Sequence, residues 1–200
     1  MHLDRLVLVF AVCLVPLALS GCLEDKVLDI VVTGETYADF SQDEISPDWS
    51  TGAYIDVAQQ VRDILEANGY SDNDLRDAHI TSVHYGVSSF SQAHDWTISG
   101  SIKVVYKGNT QTIVNYASQS VQAALGQKIP ATLETAGVDL VNAALKDFVA
   151  GENPVLAFIV DNATTTPVPS EVDDMVFDWR AWLAIQIILK QTIKDVPDPF

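Results

Sequence analysis

Residues 96–107 read Trp96-Thr97-Ile98-Ser99-Gly100-Ser101-Ile102-Lys103-Val104-Val105-Tyr106-Lys107. Trp96, Ile98, Gly100, Ile102, Val104 and Tyr106 hold the even positions, and Thr97, Ser99, Ser101, Lys103 and Lys107 hold odd ones. A period of two marks a strand with one buried and one wet face. Working outward, His79 to Phe90 is expected as its antiparallel neighbour, with Ser91 to Asp95 as the turn. On the other side Gly108-Asn109 supplies a two-residue hairpin. It leads into Thr110–Ala117, where Thr, Ile, Val and Tyr favour extended backbone.

Further out the period changes. Val57, Val61, Ile64 and Leu65 recur at helical spacing between Asp56, which opens a capping box, and Asn68-Gly69, which closes the helix. Leu133, Gly137, Leu140, Val141, Ala144, Leu145 and Phe148 trace a second helical face, with Pro130 near its start and Gly151 at its end. Gln119 to Leu125 leans to helix. Val27 to Val32 and Val155 to Asp161 read as strands. Glu35 to Gly52, rich in Asp, Ser and Gly, reads as a long loop or hairpin arm pinned by Tyr37, Phe40 and Trp49. The last strand is long: Met175, Phe177, Trp179, Ala181, Leu183, Ile185, Ile187 and Leu189 alternate with Asp178, Arg180, Gln186 and Lys190. Trp182, Ala184 and Ile188 share that second face, so its middle is expected to be covered on both sides. These elements predict an α+β fold: a twisted, mainly antiparallel sheet of about six strands with two amphipathic helices packed on one face.

The N-terminus carries a different signal. Leu6 to Ser20 is an almost unbroken apolar run of about fifteen residues, shorter than the ~20 a spanning helix needs and interrupted by Pro16. It has the length of a signal-peptide hydrophobic region. It ends in Leu19-Ser20-Gly21-Cys22, which resembles the lipobox of bacterial lipoproteins. The resemblance implies cleavage between Gly21 and Cys22 and a diacylglycerol on the Cys22 thiol. It also implies delivery to the outer membrane in a diderm bacterium, because Leu23 rather than Asp follows the cysteine. The expected organisation is a signal peptide over 1–21, a tether over 22–26, one globular domain over 27–194 and a loose tail over 195–200 with two prolines. Cys13 would leave with the signal and Cys22 would be consumed by lipid, so no thiol remains for a disulfide, a nucleophile or a metal. The expected localisation is the cell envelope, held by acyl chains at ~0.8 kcal/mol per buried methylene.

Composition narrows function further. The 200 residues carry 27 acids against 11 bases, a formal charge of −16. Nucleic-acid binders and polybasic membrane proteins have the opposite bias. Hydrophobic residues make up 48%, enough for a core rather than a disordered chain.

A search for chemistry finds little. Of four histidines, His2 lies in the signal. His79 and His84 differ in parity, so on one straight strand they face opposite ways and cannot chelate one ion together without a bulge. A His84–His94–Asp95 site across a hairpin is conceivable, and scattered surface histidine is the plainer reading. No zinc spacing, serine elbow, calcium loop or phosphate loop occurs. No catalytic residue, metal ligand or cofactor is therefore assigned. The aromatic residues Trp96, Tyr106, Trp179 and Trp182 are the candidates for a ligand or partner surface, against the plainer reading that they fill the core. The expectation is a non-catalytic, lipid-anchored binding module, its partners being the membrane and an envelope protein. A carrier of a small hydrophobic molecule is the alternative, and a periplasmic hydrolase using His84 or His94 a third.

Overall fold

The computed structural model describes residues 26–193 apart from Ala93. The signal peptide, Gly21, Cys22 and the tail over 195–200 lie outside the described residues, as does all but the last residue of the 22–26 tether.

Alternation, more than composition, decides the first strand. From Val32 to Gln42 the even residues turn inward, with Val32, Thr36, Ala38, Phe40 and Gln42 buried, while Thr33, Glu35, Tyr37, Asp39 and Ser41 stay exposed. The result is one strand, β1, over Lys26–Glu44. The Asp, Ser and Thr residues that read as a loop are its wet face. A turn at 45–48 leads to β2 (Trp49–Asp56) and helix α1 (Val57–Ala67). Asp56 caps α1 as expected, its Oδ1 accepting from the Gln59 amide at 2.9 Å. A short 3-10 turn over Asp72–Asp74 precedes β3 (Leu75–Phe90).

β4 (Thr97–Tyr106) and β5 (Asn109–Ser120) form the expected hairpin, shifted by one residue. Its loop is Lys107-Gly108, both at positive φ (46° and 79°), a tight turn that glycine accepts without strain. Helix α2 is a single turn (Val121–Ala124), and β6 is only Ile129–Pro130. Pro130 thus pairs with β3 rather than opening a helix. Helix α3 begins later, over Thr135–Val149. β7 (Val155–Thr166) and β8 (Met175–Ile193) complete the chain.

The α+β expectation is overturned. The strands form two four-stranded antiparallel sheets, sheet A in the order β1-β8-β3-β6 and sheet B in the order β2-β7-β4-β5. The architecture is a β-sandwich-like fold with few helices. Two features of the sequence favour a single sheet: polar residues mask the 35–44 strand, and nearness in the chain pairs β3 with β4. In fact β3 pairs with β8, and the turn at 91–96 carries the chain across to the other sheet. The connections β1–β2 and β7–β8 cross in the same way, all at one end of the sandwich. A hairpin inside one sheet occurs at β4–β5.

The inner faces meet in a single core. At the crossover end Phe40 stacks on its cross-strand partner Trp179 (4.3 Å, 14°), and Trp49 sets its edge on Phe177 (6.4 Å, 70°). At the other end the helices bridge the sheets: α1 touches β1, β2 and β7, and α3 touches β3, β4, β5 and β7. Asn142 on α3 also replaces a missing ladder partner, its Oδ1 accepting from the Ile80 amide of β3 (2.9 Å).

Glycine sets the closest approach. Gly137 of α3 rests on β5, and a Cβ there would collide with the Ile113 Cα and Cβ and the Thr112 carbonyl. Helix propensity alone favours alanine at this site by about 1 kcal/mol. The contact reverses the sign. Gly137→Ala is expected to destabilise the fold by roughly 1–3 kcal/mol, read as a lower urea midpoint; a midpoint that rises would contradict the packing.

Candidate functional site

The four aromatic candidates separate by parity. Trp96, on the turn before β4, is fully buried (0% exposed), and its Nε1 donates to Gln92 Oε1 at 2.6 Å. Gln92 Oε1 also accepts from the Val176 amide (3.0 Å), so this side chain laces the β3–β4 crossing to β8. Tyr106 is buried under α3 and donates to Asp147 Oδ2 (2.6 Å). Trp179 faces inward on β8 beside Phe40. These three belong to the core. Trp182 points the other way, onto the outer face of sheet A, where it is half-buried.

The cover over Trp182 comes from its own strand and from a distant loop. Across the ladder its row reads Tyr37 (β1), Trp182 (β8), His84 (β3) and Pro130 (β6). Two cations lie over these rings. The Arg180 guanidinium sits 3.9 Å from the Tyr37 ring centroid and 6.0 Å from that of Trp182, held by Asp39 through Nε (2.5 Å) and Nη2 (2.9 Å). Lys128 reaches in from the loop before β6, its Nζ 5.4 Å over Trp182 and ion-paired with Glu35. Such contacts add about 0.5–1 kcal/mol each at exposed sites. Tyr37, read as a pin to the body, is instead 50% exposed on this face. The alternation of Glu35, Tyr37 and Asp39 was the signal available for it.

The histidine site does not assemble. His84 lies in the outer row beside Trp182, whereas His94 packs at a tilt against Trp96 in the turn after β3 (4.5 Å, 57°) with Nε2 3.5 Å from Asp173 Oδ2. Asp95 serves as a helix cap: its Oδ1 accepts from the Gln122 amide (2.8 Å) and its Oδ2 from the Ser120 hydroxyl. Among the described residues no group of three or more His, Cys, Asp or Glu could hold a metal ion.

Between the sheets lies a cavity of about 30 Å³ lined by Trp49, Trp179, Tyr85, Tyr116 and Gln119 among others. That volume admits water and no organic ligand. A second, open hollow of about 320 Å³ sits where β1 begins and β8 ends, between Ile30, Leu189, Tyr70 and Asp74. Among the described residues no helix is long and apolar enough to cross a membrane.

The chain matches no protein-family model and no curated protein. Among solved structures it is similar to a chain titled Desmodium yellow mottle tymovirus, at 11% identity over 99% of this chain and 100% of that one, with a TM-score of 0.33. A likeness at that level carries no argument.

Three phenols give the interior a pH signature. Burial holds Tyr85, Tyr106 and Tyr116 above the ordinary tyrosine value, Tyr106 further raised by its bond to Asp147. Unfolded tyrosines ionise near pH 10. Above that the unfolded chain holds fewer protons than the folded one, so stability is full below pH 10 and is lost as pH climbs. Tyr116 alone is expected to contribute a loss of about 1 kcal/mol by pH 11. Urea titrations across this range, with tyrosinate absorbance followed in parallel, should show the loss, and Tyr116→Phe should lessen it.

Proposed function

We propose that this protein is a lipid-anchored, non-catalytic binding module of the bacterial cell envelope, and that it works through the surfaces of its sandwich. The observation that carries the second half is the filled interior. Small-molecule pockets measure ~300–1,000 Å³, while the cavity between the sheets beside Trp49 and Trp179 measures about 30 Å³. A lipid guest has no room there, and a carrier would have to use the open hollow beside Ile30 and Leu189. A joint His84–His94–Asp95 site has no support, because His84 lies on the outer face of sheet A and His94 in the turn after β3, and a hydrolase would have to work from one of them alone. The anchor rests on the lipobox resemblance at Leu19-Ser20-Gly21-Cys22. The described body starts at Lys26, so a few residues of tether would hold it close to the bilayer. A chain of charge −16 would be repelled by anionic headgroups, and acyl chains overcome that repulsion without a basic patch.

The test is made in the native host. The wild-type chain should incorporate labelled fatty acid and sediment with membranes. Cys22→Ala should incorporate none and retain the uncut N-terminus. Labelling that survives this substitution, or a wild-type chain recovered in the soluble fraction, would sink the anchor.

A further inference from the structure

Four strands stand at sheet edges: β1 and β6 in sheet A, β2 and β5 in sheet B. Three are short or covered. β6 has 2 residues and β2 has 8. β5 is overlaid by the chain before α3, where the Glu134 amide donates to Ile113 O (2.9 Å) and Val114 bridges to Leu133. β1 differs. It runs 19 residues without proline and without a register shift against β8. Among the described residues its outer edge makes no backbone hydrogen bond to another strand or loop. An edge of this kind is a template for another strand, and proteins blunt it with bulges, prolines or charge.

The charge on β1 is already answered. Asp29 is held by Arg76 (2.5 Å), Glu35 by Lys128 and Asp39 by Arg180. Between these pairs two large apolar side chains stand exposed on the outer face, Val31 at 54% and Tyr37 at 50%. They lie three residues to either side of Gly34.

We propose that the edge of β1 pairs antiparallel with β1 of a second copy across a two-fold axis at Gly34, joining two A sheets into one. Antiparallel partners must share a face, so odd residues meet odd ones. With Gly34 on the axis, Val31 meets Tyr37 of the second copy, a β-branched residue against an aromatic, and does so twice by symmetry. Thr33 meets Glu35 of the second copy. Asp29 meets Asp39 of the second copy, each with its own arginine, so the like charges meet as neutralised pairs. Shifting the axis by one residue either way sets Val31 against Glu35 or Asp39 and breaks the match. A foreign strand would need no such symmetry in β1. Two bodies of charge −16 repel, so salt should strengthen the pairing. The pairing needs no lipid and stands apart from the anchor.

The experiment uses the full chain in mild detergent. Sedimentation should give the mass of two copies, with the share of pairs rising with protein and sodium chloride concentration. Val31→Lys, at an exposed position, should return single copies with an unchanged thermal melt. Under oxidation a mixture of Val31→Cys and Tyr37→Cys chains should form a disulfide dimer, while each alone stays at the background set by Cys13 and Cys22 in the parent. Single copies at every concentration and salt, or a dimer formed equally by Val31→Cys alone, would overturn the proposal. So would a chain that stays single while capturing an extended peptide at this edge.

Discussion

The pairing of β1 with β8 carries the molecule. It joins the first and last described strands over 19 residues in unbroken register, from Lys26 with Ile193 to Glu44 with Met175. β3 then adds to the other side of β8, with register shifts at three places. β8 is thereby a central strand, and its odd residues from Met175 to Leu189 are all buried. A one-residue slip would turn that whole set outward. Phe40 on Trp179 and the inward residues Val32 and Ala38 work against such a slip, so register and core packing support each other.

The same pairing orders the surface. The outer face of sheet A gathers Arg76, Lys128 and Arg180, and each is matched to an acid of β1. On the side of the second sheet Lys103 pairs with Asp161, and Lys107 with Asp147 and Glu152. Exposed pairs of this kind add little stability apiece. Their larger effect is on distribution: Arg76, Lys103, Lys107, Lys128 and Arg180 are spent inside paired clusters, and the acidic excess is left to the rest of the surface. This distribution keeps like-charged bodies apart by repulsion and leaves locally neutral ground at sheet A.

Local patterns were legible where side-chain chemistry and burial agree. The alternation from Ile98 to Tyr106, the Asp56 cap and the long apolar face of β8 each appear where the residues place them. Polar alternation hid β1 beyond Val32, because Thr36 and Gln42 turn inward and look no different in sequence from Thr33 and Ser41. Partner choice was illegible too. Nearness in the chain favoured β3 with β4, yet β3 is completed by a strand about a hundred residues away. At the candidate surface, parity separated Trp179 from Trp182 correctly. The cations over Trp182 come from two separate places in the chain, Lys128 and Arg180, and no local pattern announces them.

The coincidence of Lys26 and Ile193 at one end of sheet A has a mechanical meaning. A pull between the leading segment and the trailing one would act across the ladder, loading its rungs singly, in the manner of a zip. A pull between the leading segment and a partner at the far rim would load the same bonds together, in shear. Tension of equal size would thus open the molecule easily in the first direction and poorly in the second.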